Sequence, residues 1–369
     1  SLRRARRSIG LREDSVEMRR SHAVRFEPVE IEIEVFEDET VLEAAFRQGI
    51  LLAHGCKEGQ CSACKSFLIA GEVELERYST FALADYEQEE GYTLLCRAHA
   101  YSDLEVELLH YDDEMLTAGV AIRTLRTKVQ SIQPLTHDIY KLSLTLDGRD
   151  RLDFHAGQYV DIQIPGTNDK RSFSMCNTPA VADRLEFMVK IYPGGRFSGM
   201  LRNGLAPGDE LSVKGPYGVF VLREHSDADL IFIGGGAGMA PIWSLLCSMA
   251  ERGIERRVAY YYGARTVRDL FHLRELERLS KQLLDFRFIP ALSEPAADDG
   301  WAGEVGLISD VVDRMEGDLS GQEGYLCGPP QMIDASIPML VAHGMPEARI
   351  FYDKFTITAP EEEHGPAPG

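Results

Sequence analysis

Four cysteines, three of them in one short loop, constrain this chain more than any other feature. Cys56, Cys61 and Cys64 have the spacing C-x4-C-x2-C. Cys96 follows thirty-two residues after the third of them. Three thiolates from one tight loop and a fourth from a distant strand end can surround a plant-type [2Fe–2S] cluster. Structural zinc is the alternative, but zinc sites usually combine two C-x2-C pairs and this segment has one.

Acidic residues are concentrated around these cysteines. The chain of 369 residues has a formal net charge of −20, and residues 23–115 hold 22 acidic residues against six basic ones. This charge argues against a nucleic acid as partner, and it favours docking on a basic protein surface. A role in solubility alone is the alternative.

Hydrophobic periodicity divides the chain into three domains between two tails. Residues 23–115 combine strands, one helix and a long loop, which predicts a small α+β domain. Residues 116–226 carry short alternating runs between turn residues, which is typical of an all-β barrel. Residues 227–358 alternate apolar strands with helical stretches, the pattern of a parallel α/β sheet. Residues 1–22 and 359–369 are expected to be disordered tails.

Local patterns refine this division. Thr40 followed by Glu43 is a capping box, which predicts a helix that starts at Val41. Ala70-Gly71 lies between apolar runs and predicts a hairpin. In the third domain, residues 270–284 are expected to form one helix.

One uncharged stretch, residues 231–250, is as long as a membrane span. Four glycines and a proline interrupt its middle, so a buried strand that runs into a buried helix explains it better. The arginine-rich residues 1–22 contain no apolar core of a signal peptide. These features predict a cytoplasmic protein without a membrane span.

Two motifs in the all-β zone predict a binding site for a dinucleotide. The first, at the end of a predicted strand, is Lys170-Arg171-Ser172-Phe173-Ser174. The second, a glycine turn into a short helix, is Tyr192-Pro193-Gly194-Gly195-Arg196-Phe197-Ser198. An arginine near a helix N-terminus with free N–H groups suits a pyrophosphate. An ordinary turn is the alternative for the second motif.

A glycine-rich loop in the third zone predicts a second dinucleotide site. The loop, which joins an apolar strand to a helix, is Gly234-Gly235-Gly236-Ala237-Gly238-Met239. It lets phosphates approach the backbone, although Met239 departs from a strict G-x-G-x-x-G. Arg265 and Cys327 each follow a later strand, at the carboxyl edge where nucleotides bind in such sheets. A small buried core residue is the alternative for Cys327.

In their order along the chain, these motifs resemble one family. They are similar to the reductase components of soluble di-iron monooxygenases of the propane, tetrahydrofuran and phenol hydroxylase types, within the ferredoxin–NADP reductase-like flavoproteins. The resemblance covers residues 23–358 and includes the run Phe351-Tyr352-Asp353-Lys354-Phe355-Thr356. It implies a β-grasp ferredoxin domain, an all-β FAD-binding barrel and an α/β NAD-binding domain with a parallel sheet. It also implies FAD, a [2Fe–2S] cluster and NADH as cofactors.

The resemblance also implies roles for individual residues. Arg171 would pair with an FAD phosphate, Phe173 would pack on the isoalloxazine, and Ser174 would hydrogen-bond near flavin N5. The family usually has tyrosine at position 173, so the phenol hydrogen bond is lost here. The implied catalytic residues are Ser174, Cys327, Asp353 and Phe355, with Asp353 placing a proton and Phe355 covering the flavin. The implied cofactor-binding residues are Arg171, Ser172, Phe173, Ser174, Lys190, Gly194, Gly195, Phe197, Ser198, Gly234, Gly235, Gly236, Gly238, Met239, Arg265, Cys327, Gly328 and Phe355. The implied cluster ligands are Cys56, Cys61, Cys64 and Cys96.

A flavin converts a two-electron donor into a one-electron donor, since it can accept a hydride and release electrons singly. The resemblance implies hydride transfer from NADH to FAD, two single-electron steps to the cluster, and electron delivery to the hydroxylase component of a di-iron monooxygenase. The acidic first domain would orient that docking, which salt would weaken.

Alternatives stay open for the partner and the cofactors. The reductase of a Rieske-type ring-hydroxylating dioxygenase shares this domain order. A zinc- and NAD-binding redox sensor would use the same cysteines without a chromophore. NADPH is an alternative to NADH, because Arg265 and Arg268 lie where a 2′-phosphate would bind. Cys176, two residues after Ser174, is a less favoured site for a covalently attached flavin.

Overall fold

The computed structural model describes residues 19–111, 116 and 119–355, and the chain divides into two compact units. The first unit comprises the chain up to residue 45 together with residues 58–109. The second comprises residues 46–57 and the chain from residue 110 onward.

The two expected tails fall largely on residues whose structure is not described. The first eighteen residues and all of 359–369 lie outside the described part. Ser21 and His22, by contrast, belong to the first strand, so the disordered tail predicted over 1–22 is too long by at least these two residues. In the described part of the chain, no helix combines the length and the apolar character needed to cross a bilayer.

The first unit contains a five-stranded sheet and a two-stranded sheet. Its strands and helices are β1 (Ser21–Glu27), β2 (Ile31–Phe36), α1 (Val41–Arg47, whose last two residues belong to the second unit), β3 (Lys65–Ala70), β4 (Val73–Leu75), α2 (Asp85–Glu89), β5 (Tyr92–Leu94), β6 (Ala98–Ala100) and β7 (Leu104–Leu108). The large sheet has the order β2-β1-β7-β3-β5, and β4 pairs with β6. Only the β1–β7 pair of these is parallel.

Two local predictions in this unit have different outcomes. The capping box is confirmed, because the Thr40 N–H donates to the Glu43 carboxylate (3.1 Å) and the Glu43 N–H donates to the Thr40 hydroxyl (3.3 Å). The hairpin predicted at Ala70-Gly71 is wrong, because β3 and β4 belong to different sheets. Gly71 has φ +104°, and a Cβ there would lie 2.4 Å from the Asp103 carbonyl oxygen, so this turn packs against the segment before β7.

The second unit contains two sheets, and the first along the chain is a six-stranded antiparallel sheet that forms most of a barrel. Its elements are β8 (Arg123–Pro134), β9 (Ile139–Leu146), β10 (Tyr159–Gln163), β11 (Lys170–Ser174), β12 (Arg184–Lys190), α3 (Arg196–Asn203) and β13 (Glu210–Tyr217). The strand order is β11-β10-β13-β8-β9-β12. An isolated bridge between Met175 and Phe187 brings the two edges together. Alternating apolar residues such as Leu142 and Leu144 fill the interior.

A six-stranded parallel sheet completes the second unit. Its elements are β14 (Asp229–Gly235), α4 (Met239–Arg252), β15 (Val258–Ala264), α5 (Leu273–Leu279), β16 (Phe286–Leu292), β17 (Glu304–Val305), α6 (Ile308–Met315), β18 (Gln322–Gly328), α7 (Pro330–Ala342) and β19 (Ile350–Lys354). The order is β17-β16-β15-β14-β18-β19, with all pairs parallel. Helices α4 and α5 pack on one face, and α6 and α7 pack on the other.

The parallel sheet confirms one prediction and corrects another. The uncharged stretch 231–250 is a buried strand followed by a buried helix, as expected. The helix expected over 270–284 covers only Leu273–Leu279. Its start is fixed by His272, which has φ +56° and so cannot belong to the helix. Leu283 lies beyond its end and is still buried, so the apolar pattern continues in a turn.

Candidate functional site

The flavin motif forms the whole of strand β11, at one edge of the barrel sheet, rather than the end of a strand. Ser172 points to the neighbouring strand, where its hydroxyl donates to the Asp161 carboxylate (2.7 Å). Phe173 packs against Phe197 of α3, with ring centroids 4.8 Å apart. Ser174, at the end of the strand, is buried. The two motifs predicted for one dinucleotide therefore lie together.

The glycine turn before α3 has the geometry of an anion-binding helix start. Gly194 has φ +75°, and Gly195 is the residue at the N-cap. Ser198 turns its hydroxyl back on this turn, accepting from the Tyr192 N–H (3.2 Å). A Cβ at Gly195 would lie 2.3 Å from that oxygen, so a larger residue would displace the Ser198 hydroxyl from the turn. Ser198 thus shapes the turn, and the first N–H groups of α3 have no partner within the helix, as at any helix N-terminus.

A cavity of about 770 Å³ brings together predicted residues from the barrel and the parallel sheet. Its wall contains Lys190 and Gly194 from the barrel and Arg265, which follows β15. The Lys190 ammonium lies 2.8 Å from the Asp138 carboxylate. Burial by itself would raise the pKa of Asp138, but Lys190, together with Thr136 and His137, lowers that pKa below its usual value. Lys190 therefore reaches the cavity as half of an ion pair.

The glycine-rich loop runs directly against the neighbouring strand β18. Gly236 has φ +56°, which favours glycine. A Cβ at Gly238 would lie only 2.1 Å from the Cys327 carbonyl oxygen. A Cβ at Gly235 would lie 2.9 Å from the Met332 sulfur. The loop thus needs glycine for close backbone approach.

Three predicted catalytic side chains meet at the carboxyl edge of the parallel sheet. Cys327 of β18 is paired in register with Asp353 of β19. The Ser174 hydroxyl, from the barrel, donates a hydrogen bond to the Asp353 carboxylate. Burial raises the pKa of Asp353 to about 6, although that hydrogen bond acts against the shift. Burial also raises the pKa of Cys327 far above its usual value, so its thiol stays neutral.

Phe355, the fourth predicted catalytic residue, follows directly after β19. Its backbone N–H donates to the Gly328 carbonyl (2.9 Å). Its ring packs against the core on the same side of the sheet as Cys327. All four residues therefore lie around the point where β18, β19 and β11 end.

The cysteine loop has no regular secondary structure, and its backbone curls tightly. Lys57, Gly59 and Ser62 all have φ between +55° and +67°. A Cβ at Gly59 would lie 2.7 Å from the Tyr78 Cβ. Of the four predicted ligands, Cys64 and Cys96 are buried and Cys56 and Cys61 are partly buried. Four cysteine sulfurs, three of them on one curled loop, are the donor set that a [2Fe–2S] cluster requires.

Comparison with known proteins decides the family. Three family models match consecutive segments: a 2Fe-2S iron-sulfur cluster binding domain over residues 24–101, an oxidoreductase FAD-binding domain over 126–222 and an oxidoreductase NAD-binding domain over 232–337. The reductase component of propane 2-monooxygenase from Rhodococcus jostii (strain RHA1) is 51% identical over 92% of this chain and 92% of its own. The chain belongs to the family of monooxygenase reductase components. The phenol 2-monooxygenase reductase component DmpP of Pseudomonas sp. (strain CF600) is 36% identical to this reductase. The match covers 92% of the reductase and 96% of DmpP.

A solved structure agrees with this assignment. The cytochrome P450 reductase GcoB of Amycolatopsis superposes on the reductase with a TM-score of 0.80, at 31% identity and with 91% of this chain and 99% of GcoB covered. The predicted fold class is confirmed: a ferredoxin domain, an FAD-binding barrel and a parallel-sheet NAD-binding domain. FAD, NADH and a [2Fe–2S] cluster are the cofactors of this reductase, and the zinc-containing sensor is excluded.

We expect Gly238→Ala to lower kcat/KM for NADH by about 10²-fold, because displacing a binding loop by about 1 Å has effects of this size. The added Cβ cannot fit 2.1 Å from the Cys327 carbonyl oxygen, so the loop or β18 must move. Steady-state kinetics with ferricyanide as acceptor measure the effect. Gly321→Ala is the matched control, since a Cβ there meets nothing within 4 Å. Equal kinetics for the two variants would remove Gly238 from the nucleotide site.

Sequence reasoning missed the pairing of Lys57 with Asp161. Their charged atoms lie 2.7 Å apart, and both side chains are nearly buried. Asp161 is a single acidic residue inside the apolar strand β10, and this is the signal that a partner was needed. Nothing in the sequence indicated that the partner lies 104 residues earlier.

Proposed function

We propose that the reductase takes hydride from NADH at the edge where Cys327 and Asp353 lie, and delivers single electrons to the hydroxylase component of a di-iron monooxygenase. The observation that carries the first part is the meeting of Ser174 of the barrel with Asp353 of the parallel sheet. Bound FAD supplies the conversion between hydride and single electrons. The relatives named as propane and phenol monooxygenase components support the second part.

The residues that we propose for FAD lie on β11 and at the start of α3. The Arg171 guanidinium donates one hydrogen bond, to the Lys170 carbonyl (2.7 Å), and has no carboxylate partner among the residues that the structure describes. Its positive charge is therefore available to a flavin phosphate. Ser172, Phe173 and Ser174 complete this side of the site. Gly194, Gly195, Phe197, Ser198 and Lys190 complete the other.

The residues that we propose for NADH follow β14, β15 and β18. The glycine-rich loop and Met239 receive the phosphates, and Arg265 lies in the cavity wall. Cys327, Gly328 and Phe355 surround the nicotinamide, where the buried thiol excludes water without carrying charge. Asp353 holds or gives up a proton at its carboxylate oxygen, assisted by the Ser174 hydroxyl.

The proposed ligands of the cluster are Cys56, Cys61, Cys64 and Cys96.

The proposed domains are 23–115 for the ferredoxin, 116–226 for the FAD barrel and 227–358 for the NAD domain. Each of them contains one matched family segment. We also propose a cytoplasmic location, because cysteines that serve as metal ligands rather than in disulfides are typical of a reducing compartment.

For the partner, we propose a docking surface on the first unit, made of Phe81, Tyr86 and the acidic residues of α2. Phe81 is 98% exposed and Tyr86 64% exposed, which is unusual for aromatic side chains. This segment adjoins the cysteine loop, because the Ser79 N–H donates to the Gly59 carbonyl (2.9 Å). An exposed aromatic anchor within an acidic rim fits a basic protein surface.

We expect Phe81→Ala to weaken binding of the hydroxylase by about 10-fold or more, because truncating an aromatic hot-spot residue has effects of this size. The apparent KM for the hydroxylase in a coupled assay measures it, while ferricyanide reduction stays unchanged. Tyr101→Ala is the control, since Tyr101 is a partly exposed aromatic of the same unit outside the surface. Hydroxylase reduction should also slow as salt is raised. If neither the Phe81→Ala substitution nor a higher salt concentration changes the apparent KM for the hydroxylase, the proposed docking surface is contradicted.

Reconstitution with purified oxygenases tests the proposed function as a whole. We expect product formation that consumes NADH stoichiometrically with a di-iron hydroxylase. The same reductase should reduce a Rieske-type dioxygenase or a cytochrome P450 much more slowly. Efficient coupling to either of these instead would overturn the proposed partner and leave the flavin and cluster chemistry standing.

A further inference from the structure

Lys57, the residue after Cys56, is enclosed in the second unit rather than exposed. Its ammonium lies 2.7 Å from the Asp161 carboxylate, and only 10% of the lysine side chain and 3% of the aspartate side chain are exposed. The same ammonium lies 3.3 Å from the centroid of the Tyr217 ring and 4.9 Å from that of Tyr159. One carboxylate and two aromatic faces therefore hold this charge.

Asp161 links Lys57 to the flavin strand. The second carboxylate oxygen of Asp161 accepts a hydrogen bond from the Ser172 hydroxyl (2.7 Å). Ser172 stands on β11 between Arg171 and Phe173. A continuous polar chain thus runs from Lys57 through Asp161 to the strand that we propose for FAD. Lys170, at 3.6 Å and half exposed, is only a peripheral partner of the same carboxylate.

Two further hydrogen bonds hold the residues just before Cys56. The Tyr159 hydroxyl donates to the Gly55 carbonyl (2.8 Å). The Gly218 N–H donates to Nε2 of His54 (2.9 Å), which is therefore a neutral ring with its proton on Nδ1, donated to the Leu52 carbonyl. Both donors come from barrel residues at the ends of β10 and β13. The residues on both sides of Cys56 are therefore attached to the barrel: the Gly55 carbonyl and the His54 ring before it, and the Lys57 side chain after it.

A buried ion pair adds little net stability, because desolvation offsets most of the attraction, but removing one partner leaves the other charge buried and unpaired. Its best-supported use in a protein is to select one arrangement of the chain. Here the ion pair would select one position of Cys56 relative to strand β11.

We propose that the Lys57–Asp161 pair is a positioning device that fixes Cys56 against the flavin strand and thereby sets the rate at which electrons pass from flavin to cluster. The proposal rests on the assignment of Cys56 as a cluster ligand. Electron transfer falls steeply with distance, so the pair acts on electron transfer from flavin to cluster. Hydride transfer, which we place at Cys327 and Asp353, does not involve Cys56 and should be unaffected.

The test uses the intact holoprotein and the variants Lys57→Met and Asp161→Asn, of which the second keeps the side-chain shape. After anaerobic mixing with NADH, we expect an unchanged rate of flavin bleaching. The cluster should then become reduced about 10-fold more slowly, as expected for a small misplacement of reacting groups. Lys128→Met is the matched control, since it breaks a barrel ion pair with Glu210 in which both side chains are exposed.

Hydrogen exchange on the same holoproteins provides a readout independent of turnover. We expect faster exchange of the backbone amides in residues 50–57 in both variants and no change in Lys128→Met. Cluster reduction at the wild-type rate, or a flavin reduction slowed by the same factor as cluster reduction, would overturn the proposal. Visible and EPR spectra of the unmodified reductase are recorded first. If they contain no cluster signal, the ligand assignment itself is overturned.

Discussion

Cys64→Ser should remove the cluster and lower reduction of cytochrome c by more than about 10²-fold, while NADH-dependent reduction of ferricyanide persists. NADH gives up two electrons together, and a protein acceptor that takes one at a time depends on the cluster to receive them from the flavin. Ferricyanide is small enough to take electrons from the flavin itself. Cys64 is buried at the end of the curled loop.

Iron and acid-labile sulfide analysis together with the two acceptor assays measure this outcome. Cys247→Ser is the control, because Cys247 is a partly buried thiol on α4 outside the proposed ligand set. We expect it to retain iron and both activities. Full iron content in Cys64→Ser, or equal loss of both activities, would contradict the assignment of Cys64 and the order of electron flow.

Asp353→Asn should abolish a pH dependence that the wild-type reductase shows near pH 6. Burial raises the pKa of Asp353 to about 6, so the carboxyl is neutral below this pH and ionised above it. Only the ionised form can accept a proton from the reduced flavin site when electrons leave singly. We therefore expect cytochrome c reduction to rise between pH 5 and 7 in the wild type. In Asp353→Asn the rise should vanish, and the rate at pH 7.5 should fall by about 10²-fold, the usual contribution of a placed acid or base.

The same substitution has a consequence for stability with a definite sign. A carboxyl whose pKa is raised on folding binds its proton more tightly in the folded state, so the folded protein loses stability as the pH rises from about 4 to about 6. Asparagine does not titrate. The Tm of Asp353→Asn minus that of the wild type should therefore increase across this range and stay constant above it. A flat difference, or an unchanged pH profile of cytochrome c reduction, would show that Asp353 does not titrate there.

The sequence predicted those parts of the fold that depend on local pattern. The Thr40–Glu43 capping box and the strand–glycine–helix unit that starts at Asp229 depend on neighbouring residues, and both are present. The long helix expected after residue 270 is short, because an apolar residue such as Leu283 fills the core equally well from a turn. The prediction of a hairpin at Ala70-Gly71 was wrong, because strand pairing depends on residues distant in the sequence. Strand β3 pairs with β5 and β7.

In the candidate site, too, features that depend on local sequence could be predicted and contacts between distant segments could not. The chemistry of the cysteine loop and of the glycine loop could be predicted, because spacing and residue type carry it. The family resemblance implied separate roles for Ser174 and Asp353 but not that they meet, since these residues come from different sheets. The pair Lys57–Asp161 escaped prediction altogether, because an ion pair between distant segments leaves no periodic signal in either segment.

An anaerobic titration with NADH, followed by visible absorption and EPR, tests the central claim that one chain carries both a flavin and a [2Fe–2S] cluster in electronic contact. FAD takes two electrons and the cluster one, so complete reduction should need about 1.5 equivalents of NADH per chain and yield the EPR signal of a reduced cluster. Complete bleaching with about one equivalent and no such signal would contradict the account.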